Sequence, residues 1–144
     1  MIDATPSVPK ETNAETKHEY VILYVEDNPA NLRLVTKILS SLPDVKCITA
    51  HEPVSGLELA KKQLPDLILL DINLPTMDGY AVLQQLKESP DTKNTPVIAV
   101  SANAMPSDIQ KSAAAGFVNH ITKPIVITDF IEEIRKILPL QVNS

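Results

Sequence analysis

The stretch LILLD, residues Leu67–Asp71, is the part of the sequence on which the predicted fold depends. Its four consecutive apolar residues are typical of a strand buried on both faces, although periodicity alone does not exclude a buried helix. Pro65 and Pro75 limit its length, which favours the strand. An acidic side chain after such a strand lies where open parallel sheets bind ligands. The alternative is a strand-end Asp that only turns or caps the chain.

Apolar runs and helical patterns alternate along the rest of the chain. Four further strands are predicted by the runs at residues 20–25, 45–49, 97–100 and 117–121. The second of these alternates and carries Lys46, which suits an edge strand. Apolar residues at spacings of three and four after each strand predict five helices. This alternation indicates an α/β fold, a doubly wound five-stranded parallel sheet with helices on both faces.

The composition excludes several classes of protein. The chain has 144 residues and a net charge of −5, with no basic cluster to hold nucleic acid. No apolar run approaches the roughly 20 residues of a membrane helix, and the N-terminus lacks the features of a secretory signal. The single Cys47 excludes a disulfide framework, and three glycines are too few for a glycine-rich phosphate loop. These features fit a cytoplasmic protein that binds neither membranes nor nucleic acid.

Two terminal segments are expected to lie outside the folded domain. Residues 1–19 contain two prolines and many polar residues, and predict a flexible extension or the end of a linker from a larger chain. Residues 20–139 contain all the predicted strands and helices and are expected to form one domain. Residues 140–144 are expected to be a fraying C-terminal tail.

Reactive side chains follow four of the five predicted strands. Glu26 and Asp27 follow the first, Asp71 the third, Ser101 the fourth and Lys123 the fifth. Because the carboxyl ends of parallel strands lie at one edge of a sheet, we expect these groups to converge. Three carboxylates close together raise one another's pKa unless a cation neutralises them. Oxygen ligands without a neighbouring Cys or His suit Mg²⁺ or Mn²⁺ better than Zn²⁺.

In this order on these elements, the residues resemble the receiver domain of two-component response regulators. The resemblance covers about residues 20–139. Its motifs are the side chains at the strand ends: Glu26-Asp27, Asp71 within LDINLPTMDG, Ser101-Ala102 and Thr122-Lys123-Pro124. The resemblance implies the flavodoxin-like strand order 2-1-3-4-5. It also implies phosphoryl transfer to Asp71 from a phosphohistidine of a histidine kinase or a histidine phosphotransfer protein.

The resemblance implies a role for each acidic residue. Asp71 is the phosphoacceptor, and as an ionised carboxylate it attacks phosphorus without a general base. Mg²⁺, or Mn²⁺, held by Asp27 and Asp71 offsets the repulsion between that carboxylate and the phosphoryl oxygens. The main-chain carbonyl of Asn73 is implied as a third ligand, and Glu26 is implied to act through water.

Two further residues are expected to respond to phosphorylation, and a third is a candidate. Lys123 supplies positive charge to the phosphoryl oxygens, and the resemblance implies a cis bond between Lys123 and Pro124. The Ser101 hydroxyl donates to a phosphoryl oxygen and draws the loop after the fourth strand inward. His120 departs from the Tyr or Phe that the family often has there, and it is titratable. A switching role for His120 and an edge-exposed histidine without one are equally open.

The fourth helix, near residues 106–115, is expected to yield first when the domain switches. It is rich in alanine, and Ile109 is its only large apolar residue, so it buries little surface. The face made by helix four, strand five and helix five is therefore expected to change most and to bind a downstream protein. The chain is expected to be either a stand-alone receiver or one excised from a hybrid kinase or a multidomain regulator.

Other functions of a strand-end aspartate fit the sequence less well. A haloacid-dehalogenase-type phosphatase needs a second Asp two residues later as a general acid, and Asn73 occupies that position. A flavodoxin-like flavin carrier needs a phosphate loop after the first strand, where Glu26 and Asp27 would repel a phosphate. A receiver-like module that only binds partners would not need the full set of reactive residues. We therefore expect a signalling phosphoacceptor rather than a turnover enzyme, with self-phosphorylation from small phosphodonors and self-dephosphorylation left open.

Overall fold

The structure is a computed structural model, and it describes residues 19–140 of the chain. The strands are β1 Tyr20–Val25, β2 Val45–Ala50, β3 Leu67–Asp71, β4 Val97–Ser101 and β5 Asn119–Thr122. The helices are α1 Pro29–Ser40, α2 Pro53–Gln63, α3 Gly79–Glu88, α4 Pro106–Ala115 and α5 Ile127–Arg135. The predicted extension and tail lie outside the described residues, apart from Glu19 and Leu140.

The described residues form one parallel sheet with the strand order β2-β1-β3-β4-β5. This order confirms the doubly wound, flavodoxin-like arrangement 2-1-3-4-5, and β2 with Lys46 lies at an edge as predicted. The register pairs Val25 of β1 with Leu70 of β3, and Asp71 of β3 with Val100 of β4. The central strands therefore end close together at one edge of the sheet.

The two faces of the sheet carry separate apolar cores. Leu67 and Leu69 pack with residues of α1 and α5, whereas Ile68 and Leu70 pack with residues of α2 and α3. All five residues of β3 are buried. Burial on both faces explains why this segment is continuously apolar rather than alternating, and the strand prediction is confirmed.

The start of α3 lies against the loop that follows β3, and Gly79 allows this close approach. A Cβ atom at position 79 would lie 2.7 Å from the Cα atom of Ile72 and 2.9 Å from the carbonyl oxygen of Asp71. The preceding Asp78 caps the helix, because its Oδ1 atom accepts a hydrogen bond from the backbone N–H of Ala81 at 2.9 Å. The helix start thus holds the segment that carries Asp71.

The last two helices differ in how firmly they are packed. Ser112 is the buried residue of α4, and Ile109 is 42% exposed, which confirms the predicted poor apolar face.

At the end of α5 the chain continues into the core: Leu140 is 5% exposed and packs with residues of α1 and α5. The boundary at residue 139 stays a prediction, and Leu140, the first residue of the predicted tail, is buried in this arrangement.

No helix within residues 19–140 is long and apolar enough to span a membrane.

Candidate functional site

The carboxyl edge of the sheet brings the predicted acidic residues together. One oxygen atom from each of Glu26, Asp27 and Asp71 lies within 4.8 Å of the others. Glu26 and Asp71 are buried, whereas Asp27 is exposed at the mouth of the site. Asn73 is also exposed, two residues beyond Asp71. The buried acids thus form the floor of a site that opens to solvent beside Asp27.

Lys123 lies between the two buried carboxylates. Its Nζ atom is 2.9 Å from Glu26 Oε1 and 3.3 Å from Asp71 Oδ2. Burial opposes the charged form of Lys123, but the hydrogen bond to Glu26 and the negative charges of Asp71 and Glu26 outweigh it and raise its pKa. The backbone N–H of Lys123 donates to the carbonyl oxygen of Ser101 at 2.8 Å, which joins the ends of β4 and β5. The Lys123–Pro124 bond is cis, as the resemblance implies.

Asp71 and Glu26 respond differently to the same surroundings. Burial, together with the hydrogen bond to Glu26, raises the pKa of Asp71 to about 6. The backbone N–H of Asn73 and the charge of Lys123 act in the opposite direction, and that N–H donates to Asp71 Oδ1 at 3.0 Å. For Glu26, burial is again the largest influence, but hydrogen bonds to Asp71, Lys123 and Tyr24 overcome it and lower the pKa. Near neutral pH the carboxylates of Glu26 and Asp71 therefore carry more negative charge than the single ammonium group of Lys123 balances.

This donor set fits a small divalent cation. The three carboxylates offer hard oxygen ligands within a short distance of one another, and two of them are buried. Mg²⁺ prefers oxygen ligands, binds through few protein groups and retains several waters, which an open mouth allows. The cluster is thus compatible with the predicted Mg²⁺ or Mn²⁺.

Glu26 is surrounded by donors that the sequence interpretation missed. The hydroxyl of Tyr24 donates to Oε1 at 2.7 Å, and the side-chain amide of Asn31 reaches the same oxygen at 3.4 Å. The backbone N–H of Asn28 donates to Oε2 at 3.2 Å. Tyr24 is fully buried, and burial followed by the hydrogen bond to Glu26 raises its pKa, so its hydroxyl remains a donor. The available signal was spacing, because residues two apart on a strand point to the same face.

Ser101 and His120 belong to a second group of hydrogen bonds, next to the acidic cluster. The buried Ser101 Oγ accepts from the backbone N–H of Asn103 at 3.0 Å. His120 Nε2 lies 3.0 Å from the carbonyl oxygen of Asn103, and His120 Nδ1 lies 3.1 Å from Ser112 Oγ. Ser112 Oγ also donates to the carbonyl oxygen of Ile109 at 2.9 Å. His120 thus bridges the β4–α4 loop and the middle of α4, and its role in switching stays a prediction.

A cavity of about 120 Å³ is lined by residues of α4 and by residues at the ends of β3 and β4. Its lining includes Asn73, Tyr80, Ser101, Asn103, Lys111 and His120. The Nζ atom of Lys111 lies 4.7 Å from the ring centroid of Tyr80, so α4 and α3 contact each other beside this cavity.

Comparisons with known proteins agree with this geometry. The family model described as response regulator receiver domain matches residues 22–135. The chain is 36% identical over 117 residues to the polar-differentiation response regulator DivK of Brucella anthropi. The aligned region covers 81% of this chain and 94% of DivK. It is 38% identical over 113 residues to the signal transduction histidine-protein kinase BarA of Shigella flexneri. That aligned region covers 77% of this chain but 12% of BarA.

A solved receiver domain has a similar fold. It is the receiver domain of the sensor histidine kinase PA1611 from Pseudomonas aeruginosa PAO1, with a magnesium ion coordinated in its active-site cleft. Its TM-score is 0.76, with 27% identity over 84% of this chain and 98% of that chain.

Proposed function

The chain belongs to the response regulator receiver domain family, and we propose that Asp71 is the residue that accepts its phosphoryl group. As a receiver domain it acts in two-component signalling. The observation that supports Asp71 is its position: a buried carboxylate at the end of β3, with Lys123 Nζ 3.3 Å from its Oδ2 atom and two further carboxylates beside it. The proposed donor is the phosphohistidine of a histidine kinase or of a histidine phosphotransfer protein.

In the proposed step, one oxygen of the ionised Asp71 forms a bond to phosphorus while the phosphorus–nitrogen bond of the donor breaks. The product on the protein is an acyl phosphate, and the departing imidazole takes up a proton. Asp27, Asp71 and the main-chain carbonyl of Asn73 would hold Mg²⁺ or Mn²⁺, with Glu26 acting through water. The bound ion supplies positive charge that offsets the repulsion between the carboxylate and the phosphoryl oxygens.

Lys123 supplies the second positive charge in this proposal. Its ammonium group already contacts Asp71, and its raised pKa keeps it charged over the whole physiological range. A short movement toward the new phosphoryl oxygens makes it a hydrogen-bond donor to them. This contact ties β5 to the phosphorylated residue.

We further propose that Ser101 and His120 transmit the change to α4. The Ser101 hydroxyl can donate to a phosphoryl oxygen while its Oγ atom still accepts from Asn103 N. Movement of Ser101 then draws Asn103 inward, and His120 links Asn103 to Ser112 on α4. The face formed by α4, β5 and α5 is accordingly the proposed site for a downstream protein.

Two further features belong to the same proposal. The domain is a signalling phosphoacceptor that promotes its own phosphorylation from small phosphodonors and its own dephosphorylation, because the charges that assist transfer lie in the domain itself. A cytoplasmic location is proposed from the sequence, with its single cysteine and its need for a phosphohistidine donor.

Intact mass after incubation with Mg²⁺ and phosphoramidate tests the proposal. The mass should rise by one phosphoryl group in the parent, and Asp71→Asn should abolish the rise because an amide cannot act as the nucleophile. Asp66→Asn is a suitable control, since Asp66 lies at the opposite end of β3 and its Oδ2 atom accepts from Val21 N at 2.8 Å. Equal labelling of Asp71→Asn and the parent would overturn the assignment.

A further inference from the structure

We propose that Tyr24 is a positioning residue that competes with Lys123 for one oxygen of Glu26 and thereby leaves the lysine free to reach a phosphoryl group on Asp71. This inference rests on the proposed function of Asp71. It assigns a role to a buried tyrosine hydroxyl that neither binds the metal nor contacts the phosphoryl group.

The competition follows from the number of donors around Glu26 Oε1. Tyr24 donates to it at 2.7 Å, Lys123 Nζ lies 2.9 Å away, and the side-chain amide of Asn31 lies 3.4 Å away. A carboxylate oxygen offers about two lone-pair directions, so three donors exceed its capacity. The shortest contact belongs to Tyr24, and the tyrosine therefore weakens the hold of Glu26 on the lysine.

The lysine must leave this oxygen in order to act. In the present arrangement Nζ is closer to Glu26, at 2.9 Å, than to Asp71, at 3.3 Å. A phosphoryl group on Asp71 would present new acceptors beyond the carboxylate, so the ammonium group must shift away from Glu26 to reach them. Each donor that competes for Oε1 makes this shift easier.

Tyr24 also stabilises the carboxylate that the lysine leaves behind. Glu26 is fully buried and an unpaired buried charge is costly, so the donors that remain on Glu26 stabilise its charge when the lysine leaves. Tyr24 is fully buried among residues of α1 and α5 and its ring is fixed there. Its hydroxyl therefore stays on Glu26 when Lys123 moves. A phenylalanine would pack equally well at this position, so packing alone does not account for the hydroxyl.

Tyr24→Phe removes only this hydroxyl and is the test. The labelling rate of Asp71 by phosphoramidate at saturating Mg²⁺ should fall about threefold to tenfold, because the lysine is held more tightly by Glu26. The Mg²⁺ dissociation constant, measured from amide chemical shifts, should stay within about twofold of the parent value, since Tyr24 does not contact the ion. Tyr20→Phe, which removes a hydroxyl from the amino end of the same strand, should leave both quantities unchanged.

A second comparison shows whether Tyr24 acts through the lysine. In a Lys123→Ala background, Tyr24→Phe should cause no further slowing, because the competing group is already gone. The same loss in both backgrounds would overturn the proposal, and so would a parental rate for Tyr24→Phe or a Mg²⁺ constant that changes as much as the rate. If the parent itself is not labelled, the proposed function of Asp71 fails and this inference fails with it. A labelled parent with an unaffected Tyr24→Phe would refute the inference alone.

Discussion

Ser112 Oγ lies 3.1 Å from His120 Nδ1, so the one buried side chain of α4 is hydrogen-bonded to the strand beside it. The carbonyl oxygen of Asn103 can only accept, so the imidazole donates from Nε2. A neutral ring then accepts at Nδ1, where it competes with the Ile109 carbonyl for the single hydroxyl proton of Ser112. This contact is thus a weak attachment of α4 to β5.

Ser112→Ala should loosen α4 without unfolding the domain. A typical hydrogen bond contributes about 1 kcal/mol, so amide hydrogen exchange within α4 should accelerate about fivefold. Ser107→Ala is the matched control, because Ser107 lies on the same helix and is exposed. Exchange in α4 that is equally fast in the two variants would show that the Ser112–His120 contact does not hold the helix.

Ser101→Ala should separate phosphorylation from the response of the domain. Labelling of Asp71 should remain largely intact, since Ser101 does not attack phosphorus, whereas the response at α4 should shrink. Amide chemical shifts with and without a beryllofluoride mimic of the phosphoryl group measure the response. In the parent the shifts should reach Ile109, His120 and Phe130. Shifts confined to the loops around Asp71, or a full response in Ser101→Ala, would contradict the proposed route.

Asp27→Asn should weaken Mg²⁺ binding much more than Glu26→Gln. Asp27 is exposed at the mouth of the site. Glu26, in contrast, accepts hydrogen bonds from Tyr24 and Asn28 and forms an ion pair with Lys123. We expect a loss of about tenfold for Asp27→Asn and of less than about threefold for Glu26→Gln. Titration of amide shifts with Mg²⁺ gives both constants. Equal losses would mean that Glu26 contacts the ion directly.

Asp71→Asn should stabilise the metal-free protein near neutral pH. The pKa of Asp71 rises from 3.8 to about 6 in the folded state, so the folded protein binds this proton more tightly than the unfolded chain does. The stability that this proton confers is present at low pH and is lost as the pH rises through about 4 to 6. The gain from Asp71→Asn should therefore approach about 3 kcal/mol near pH 7 and fall below about 1 kcal/mol near pH 4. Denaturant unfolding in the presence of a chelator measures it, and a pH-independent gain would contradict the raised pKa.

Leu140→Ala should reduce the stability of the domain. Leu140 is 5% exposed and packs with residues of α1 and α5, so its truncation leaves a cavity there. The free energy of unfolding should fall by about 2 kcal/mol, at the lower end for a buried leucine because the chain end can partly refill the space. The exposed Leu64, which is 57% exposed, provides the control Leu64→Ala. Equal stability of Leu140→Ala and the parent would support the predicted domain boundary at residue 139.

The sheet could be predicted because its buried strands are recognisable in the sequence as continuously apolar runs. Strands covered on both faces must be continuously apolar, and a polar residue at the end of such a strand stands out, as Asp71 and Ser101 do at the ends of β3 and β4; their roles stay predictions. Lys46 similarly marks the exposed edge strand.

Most contacts that were missed depend on the tertiary arrangement. Tyr24 is the exception: it was interpreted as one more apolar strand residue, although its spacing of two from Glu26 indicates that the two side chains share a face. Ser112 and Asn103 become partners of His120 only when α4 is laid against β5, which no local pattern specifies. Leu140 follows a proline, and its burial depends on how α5 directs the chain end.

The sparse interior contribution of α4 has a consequence for how such domains diversify. α4 has 10 residues and places one of them, Ser112, in the interior. Substitutions at its other positions therefore carry little folding penalty, while the proposed phosphoryl chemistry lies at the ends of β1, β3, β4 and β5. On the proposal that α4 belongs to the partner-binding face, the surface of this helix could be changed to bind a new partner without altering the proposed phosphorylation site.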